Sequence, residues 1–320
     1  MEGLQETAMT TAFTGSVVLV TGGTGSFGQV IVRQLLDAGA SEVRVLSRDE
    51  AKQDSMREQF ADDRIVFITG DVRDASTVIT SMKGARYAFH AAALKQVPNC
   101  ERHPMEAIRT NALGSENVRL AALQCGPETV VAISTDKACA PINTMGLTKA
   151  LMERLFLQKM TSAIKFVCVR YGNVIGSRGS VVPLFLDRIR RGKPLPITDP
   201  GMTRFLLRLP EAVETALKAA ALGSHGELWV RKMPAATVED LAFAIAPEGY
   251  PREIVGVRPG EKMHEVLVSE DEMRRATDHD EHYVIGTQSV RLSGEYTSAN
   301  TRRLDVKAIR GLLQQAKVLP

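Results

Sequence analysis

The chain is poor in cysteine, aromatic residues and long apolar runs, and each shortage excludes something. Its four cysteines, Cys100, Cys125, Cys139 and Cys168, are scattered through 320 residues with no CxxC pair. That argues against a disulfide scaffold or a zinc–thiolate centre and fits the reduced thiols of a cytoplasmic protein. The six histidines fall at no ligand spacing, so no metal site is expected. The longest apolar stretches, SVVLVTGG and TVVAIS, are strand length and far short of a membrane span. The opening MEGLQETAMTTAFTGS has neither a basic start nor an apolar core. It is no signal peptide, and residues 1–14 read as a loose tail. The formal net charge is +3, with no Lys/Arg block and no nucleic-acid-binding signature, so neither nucleic acid nor membrane is expected as a partner.

What is present is alternation. SVVLVT reads as a buried strand, and GQVIVRQLLDAGA follows with Val30, Ile31, Gln34 and Leu35 at helical spacing and Gly39 as a stop. EVRVLS, RIVFITGD, YAFHAAA, TVVAISTD and KFVCVRYGN continue the strands. Helical stretches lie between them, including a long one near Glu106–Gln124 and one from Thr144. Strands alternating with helices imply an α/β fold, a doubly wound parallel sheet with right-handed crossovers. After about Ser180 the segments shorten and prolines multiply, which suggests a smaller lobe that returns strands to the main sheet. The expected division is a dinucleotide-binding domain over residues 15–178. Residues 179–320 form a mainly substrate-binding lobe, partly interleaved with the first.

VTGGTGSFGQ stands at the first strand-to-helix turn, with Gly22, Gly25 and Gly28 spaced GxxGxxG. A tight turn, a bare backbone against a pyrophosphate and close helix–strand packing each exclude a Cβ, and the helix N-terminus offers N–H groups to the anion. This spacing resembles the extended short-chain dehydrogenase/reductase superfamily and its Rossmann domain. The second strand ends Ser47-Arg48-Asp49. Arg48, helped by Lys52, suits a ribose 2′-phosphate, while Asp49 suits a free hydroxyl, so NADP is favoured and NAD remains open. By the same resemblance Asp71 and Val72 hold the adenine, and Ala91, Ala92 and Ala93 flank the dinucleotide.

STDKACAPINTMGLTK, Ser134 to Lys149, places Thr135, Asp136 and Lys137 at the C-terminal end of a buried strand, where open α/β sheets carry their chemistry. Asp136 and Lys137 supply one acid and one base, as two proton transfers require. Many short-chain reductases carry Tyr four residues before the Lys that binds ribose hydroxyls. Here that position is Met145, which exchanges no proton, ahead of Lys149.

TGGTGSFG, GDVRD, AAALKQVP, STDKA with MG-TK, YGNV-GSRGSV, MTRF and RPGEKMHE together resemble the UDP-N-acetylglucosamine 4,6-dehydratases of bacterial surface-polysaccharide synthesis. The nearest kind is the short form without a membrane anchor that inverts C5; in that group and in the long membrane-anchored forms, Met in place of Tyr is a known variant. The resemblance implies oxidation of UDP-N-acetylglucosamine at C4, elimination of water across C5–C6, and return of the hydride to C6. It makes Lys137 the base at C5, Asp136 the acid for the 6-hydroxyl, Thr135 a hydrogen-bond partner of O4, and Lys149 a ribose ligand. A base at Lys137 needs a depressed pKa, for which Lys149 and the oxidised nicotinamide are candidate causes. The C4 hydroxyl proton passes to Asp136, to Lys149 or to water; the residues do not choose.

The implied dinucleotide wall adds Ser26, Phe27, Lys95, Asn111 and Tyr171. The implied substrate cage is Lys95, Asn173, Arg178, Val181, Thr198, Arg204, Arg258 and Glu261, with His264 and Glu265 as weaker candidates and Trp229 as core. A C-terminal helix from about Asp305 and a homo-oligomer, a hexamer in this group, also follow from the resemblance. Three alternatives stand beside this reading: a C5-retaining dehydratase, a UDP-sugar 4-epimerase or simple dehydrogenase, and a non-catalytic NADP-binding module.

Overall fold

The computed structural model describes residues 11–159, 163–177, 179–286 and 292–319. The first half runs β1 (Val17–Thr21), β2 (Glu42–Ser47), β3 (Ile65–Thr69), β4 (Tyr87–His90), β5 (Thr129–Thr135) and β6 (Lys165–Tyr171). The second adds β7 (Asn173–Val174), β8 (Leu195–Ile197), β9 (Thr203–Leu207), β10 (Leu228–Arg231), β11 (Ala235–Thr237), β12 (Arg252–Ile254), β13 (Val266–Val268), β14 (Ala276–Asp278), β15 (His282–Ile285) and β16 (Tyr296–Thr297). Among the described residues the main sheet has nine strands, in the order β14-β15-β10-β6-β5-β4-β1-β2-β3. From β10 to β3 every pairing is parallel, and β15 and β14 close the edge as antiparallel neighbours. The order reverses between β1 and β4. That crevice, at the carboxyl ends of the strands, is where open α/β sheets bind ligands.

Helices bury the sheet on both faces, which is why β1 and β5 read as continuous apolar runs rather than alternating ones. Helices Ser26–Asp37, Glu50–Phe60 and Leu209–Leu222 pack on one face through Ile31, Leu35, Met56 and Val213. Helices Ala75–Met82, Gly114–Cys125 and Thr144–Phe156 pack on the other through Val78, Val118, Met152 and Phe156. A separate core around Phe185, Leu195, Leu241, Ile309 and Leu313 holds the C-terminal lobe. Its last helix, Val306–Gln315, is capped by Asp305.

Two details correct the sequence reading. Phe13 is fully buried against Tyr87 and Phe89, so residues 11–14 belong to the fold; residues 1–10 lie outside the described ones. The helix expected near Glu106–Gln124 is broken by a π-turn at Ile108–Leu113. Strands β10, β14 and β15, from beyond residue 178, complete the main sheet. Trp229, on β10, is core as expected.

His90, at the end of β4, is buried, with Nδ1 on the Thr21 hydroxyl at 2.8 Å and Nε2 on the Ser115 hydroxyl at 2.9 Å. Burial, helped by the charge of Lys149, pushes its pKa from 6.5 down to about 3. Between those values the unfolded chain binds a proton that the folded chain refuses, so folding free energy is lost as pH falls through that window. His282, lowered to about 4 mainly by burial, acts in the same direction. Urea unfolding is therefore expected to show a steep loss of stability from pH 7 to pH 5, less steep in His90→Gln. Equal slopes in the two proteins would contradict this assignment.

Candidate active site

The crevice at the strand ends opens into a cleft of about 1580 Å³. Its floor is the glycine turn. Gly22 has φ +69°, and a Cβ there would lie 2.8 Å from the Ala92 backbone. A Cβ on Gly28 would lie 2.4 Å from the backbone of Gly23. Helix Ser26–Asp37 starts at Gly25 with no side-chain cap, whereas Asp49, Asp74 and Asn143 each cap their helices. The first N–H groups of this helix are thus left for a ligand anion, and the floor has the bare backbone a pyrophosphate needs.

On the rim, Ser47 hydrogen-bonds Thr24 at 2.7 Å. Arg48 reaches Asp71 at 3.2 Å, where Arg73 also binds, and Lys52 pairs with Asp49. The two cations expected to meet a 2′-phosphate therefore already face carboxylates.

The opposite wall is built by the end of β5. Asp136 opens a single 3₁₀ turn, Asp136–Ala138, and is almost wholly buried. Its Oδ1 accepts from the Thr135 hydroxyl at 2.8 Å and from Lys137 Nζ at 3.0 Å. Lys137 Nζ also lies 3.4 Å from Glu265 Oε1, and Arg204 Nε lies 3.8 Å from that same oxygen. Burial pushes the Lys137 amine down, but Asp136 and Glu265 outweigh it and hold its pKa above the ordinary lysine value. The depressed pKa expected for Lys137 is thus not a property of the ligand-free protein, since two carboxylates face the amine from two elements.

The helix that follows is pressed onto this turn, and a Cβ on Gly146 would lie 2.2 Å from the Lys137 carbonyl oxygen. Met145 is buried with Cys100 and Ala107 beside Leu94 and Val97. Lys149 is buried too. Its Nζ donates to the Ile133 carbonyl oxygen and lies 2.9 Å from Met152 Sδ, and burial lowers its pKa to about 8.

Beneath the wall, Arg170 is bidentate to Glu153 (3.0 and 2.6 Å) and to Glu272 (2.9 and 2.9 Å) and donates to the Leu267 carbonyl oxygen at 2.7 Å. Burial alone would raise the Glu272 carboxyl, but Arg170 overrides it and holds it at about 2. Glu153 also accepts from the Ser134 hydroxyl, so this network supports the end of β5 from below.

Among the described residues, six buried side-chain polar atoms have no partner, and five of them line this cleft: Thr110 Oγ1, Asp136 Oδ2, Asn173 Oδ1, Glu261 Oε2 and Glu265 Oε2. Unsatisfied buried groups are costly, so their concentration in one cleft marks it as the place a polar ligand completes.

Nearly all the residues proposed for cofactor, substrate and chemistry meet on this one surface, including Tyr171, Val181, Thr198, Arg258 and Lys95. Asn111 does not. It is fully buried behind the wall, pairing with both the N–H and the C=O of Leu94 and with Thr148, and so it props the Ala93–Lys95 loop from behind. The π-turn that breaks the long helix contains it. Arg178 lies outside the described residues. Glu265 lines the cleft and faces Lys137. His264 does not line the cleft and hydrogen-bonds Thr203 at 2.8 Å. No group of three or more potential metal ligands occurs among the described residues, and no helix there is long and apolar enough to cross a membrane.

The sheet, its glycine turn and the C-terminal lobe define an extended short-chain dehydrogenase/reductase fold. Residues 18–287 match the family described as polysaccharide biosynthesis protein, and the chain belongs to that family. It is 44% identical to the UDP-glucose 4-epimerase of Rickettsia rickettsii (strain Sheila Smith) and 45% to that of Rickettsia conorii (strain ATCC VR-613 / Malish 7). Each match covers 94% of this chain and 96% of the relative. Among solved structures it resembles Pen from Bacillus thuringiensis, with a TM-score of 0.90 and 34% identity over 95% of this chain and 98% of that one. It also resembles the UDP-glucose 4-epimerase of Thermus thermophilus in complex with NAD, with a TM-score of 0.67 and 25% identity over 77% and 88% of the two chains.

Proposed function

We propose that the protein dehydrates UDP-N-acetylglucosamine: transient oxidation at C4, loss of water across C5 and C6, and inversion at C5. The observation that carries this reading is the part-exposed Lys137 held between buried Asp136 and Glu265, beside an inert Met145. A 4-epimerase needs one proton acceptor at the C4 hydroxyl, whereas an elimination needs an acid and a base, and this cleft holds an excess of such groups. When bound, the nicotinamide dinucleotide carries one hydride from C4 and gives it back at C6. The glycine turn and the uncapped helix end suit its pyrophosphate. Arg48 and Lys52 support NADP; the NAD in the Thermus relative supports NAD, and kcat/KM with each form measures the preference.

The proton route can be written from the chain's own groups. Lys149 Nζ is tied to Ile133 and Met152, so Asp136 Oδ2, without a partner on the cleft, takes the C4 hydroxyl proton. That neutralises one of the two carboxylates holding Lys137 charged, and Lys137 sheds its proton to water more readily. The free amine then removes the C5 proton. Asp136 passes its proton to the 6-hydroxyl, which leaves as water. A solvent proton arriving at C5 from the opposite face inverts that carbon, and the Asp136–Lys137 ion pair is restored. Incubation with UDP-N-acetylglucosamine in D2O is expected to give a product lighter by one water with one deuterium at C5; the proton coupling pattern reads the configuration there. Retained configuration would point to the C5-retaining dehydratase.

The second reading is a UDP-sugar 4-epimerase. It is favoured by the names of the Rickettsia relatives, which match this alternative rather than the dehydratase. A product of unchanged mass with inverted C4 would establish it.

We also infer a homo-oligomer. Helices Gly114–Cys125 and Thr144–Phe156 lie side by side and leave Leu120, Leu123, Leu147 and Leu151 exposed, with Leu113 just ahead of them. Such a face resembles half of a buried interface. Leu147→Glu with Leu151→Glu is expected to give monomers by light scattering; an unchanged mass would remove this face from the interface.

A further inference from the structure

Lys137 is held from two directions. Asp136 belongs to its own 3₁₀ turn, but Glu265 reaches it from the segment just ahead of β13 in the C-terminal lobe. Glu265 is almost wholly buried, and its backbone is fixed to Ser298 through a 2.8 Å bond from its N–H to the Ser298 hydroxyl and a 2.8 Å bond from the Ser298 N–H to its carbonyl oxygen. Its Oε1 lies between Lys137 and Arg204, and its Oε2 faces the cleft without a partner. A buried carboxylate is costly unless it interacts with something, and here its partners are two cations of the cleft.

We propose that Glu265 is a positioning residue that holds the Lys137 ammonium against Asp136 and sets the pH at which Lys137 releases its proton. The charged groups facing Lys137 are Asp136, Glu265 and Arg204. Asp136 and Glu265 favour its charged form and Arg204 opposes it. Just past the same turn, the Cys139 carbonyl oxygen accepts from Lys262 Nζ and the Cys139 thiol donates to Glu272, which fixes the turn's far end. Glu265 thereby makes the protonation of Lys137 depend on correct docking of the C-terminal lobe against β5.

The coupling itself is independent of the reaction proposed above; only its kinetic consequence rests on that reading. The test is an NMR titration of lysine side-chain carbons in the ligand-free protein, with Lys137 assigned by its disappearance in Lys137→Met. In Glu265→Gln the Lys137 midpoint is expected to fall by about one pH unit. In Arg204→Gln, which removes the opposing charge, it is expected to rise. These opposite signs survive a general loosening of the site, which would move both midpoints the same way. An unmoved midpoint in Glu265→Gln, or shifts of the same sign in both variants, would overturn the proposal. On UDP-N-acetylglucosamine, the rising limb of the Glu265→Gln pH–rate profile is expected to move to lower pH by the same amount. If the midpoints shift as stated but no water is lost from the sugar, the dehydration reading fails while the role of Glu265 stands.

Discussion

Replacing Lys137 by Met is expected to lower dehydration by about 10³-fold or more, within the range of general acid–base catalysis, while leaving dinucleotide binding intact. The reason lies in the wall geometry. Among the described residues, Lys137 is the one cation of the cleft in contact with Asp136, at 3.0 Å, and it shares Glu265 with Arg204. Met145 offers no substitute, and Lys149 is directed into the protein against the Ile133 carbonyl oxygen. The glycine turn stands on the other side of the cleft, on different elements, so cofactor affinity is expected to hold. Single-turnover formation of product, followed by mass, measures the loss, and cofactor fluorescence titration checks binding. An activity within about threefold of the parent protein, a change too small for a lost acid–base group, would remove Lys137 from the chemistry.

Arg170→Met is expected to cost about 3–5 kcal/mol of folding stability, the usual penalty for leaving a buried partner charge uncompensated. Arg170 is 1% exposed; its pair with Glu153 is buried and its pair with Glu272 is partly so. Its loss strands Glu153 on the helix that carries Met145 and Lys149, and Glu272 on the helix Glu270–Met273 beyond β13. Adding Glu153→Gln and Glu272→Gln to Arg170→Met is expected to recover part of the loss, because the cost comes from the orphaned charges rather than from a missing attraction. Denaturant unfolding of the single and triple variants tests this. A single variant as stable as the parent would show that the network is not sealed from water.

The first half of the fold was legible because its signals are local. Apolar runs of strand length, helical spacing and the glycines at 22, 25 and 28 all act within a few residues. The turn that holds Thr135, Asp136 and Lys137 was legible for the same reason. What lies far apart in sequence was not. Nothing near position 265 announces that Glu265 will meet Lys137, since the meeting depends on how the C-terminal lobe docks. Burial alone would have lowered the Lys137 pKa, but Asp136 and, behind it, Glu265 raise it, opposite in sign to the sequence expectation. Asn111 carries the right residue type on the right helix, but the π-turn directs it to the Leu94 backbone. Phe13 sits in a polar stretch, and its burial depends on Tyr87 and Phe89. Arg48 looked available for a phosphate until Asp71, on a neighbouring strand end, proved to face it.

The most direct test of the central claim uses UDP-N-acetylglucosamine carrying deuterium at C4, with the product examined by NMR and mass spectrometry. Internal hydride return after elimination predicts that the product has lost one water and carries that deuterium in its C6 methyl group. A sugar of unchanged mass with deuterium still at C4 and the C4 configuration inverted would contradict dehydration and establish epimerisation instead.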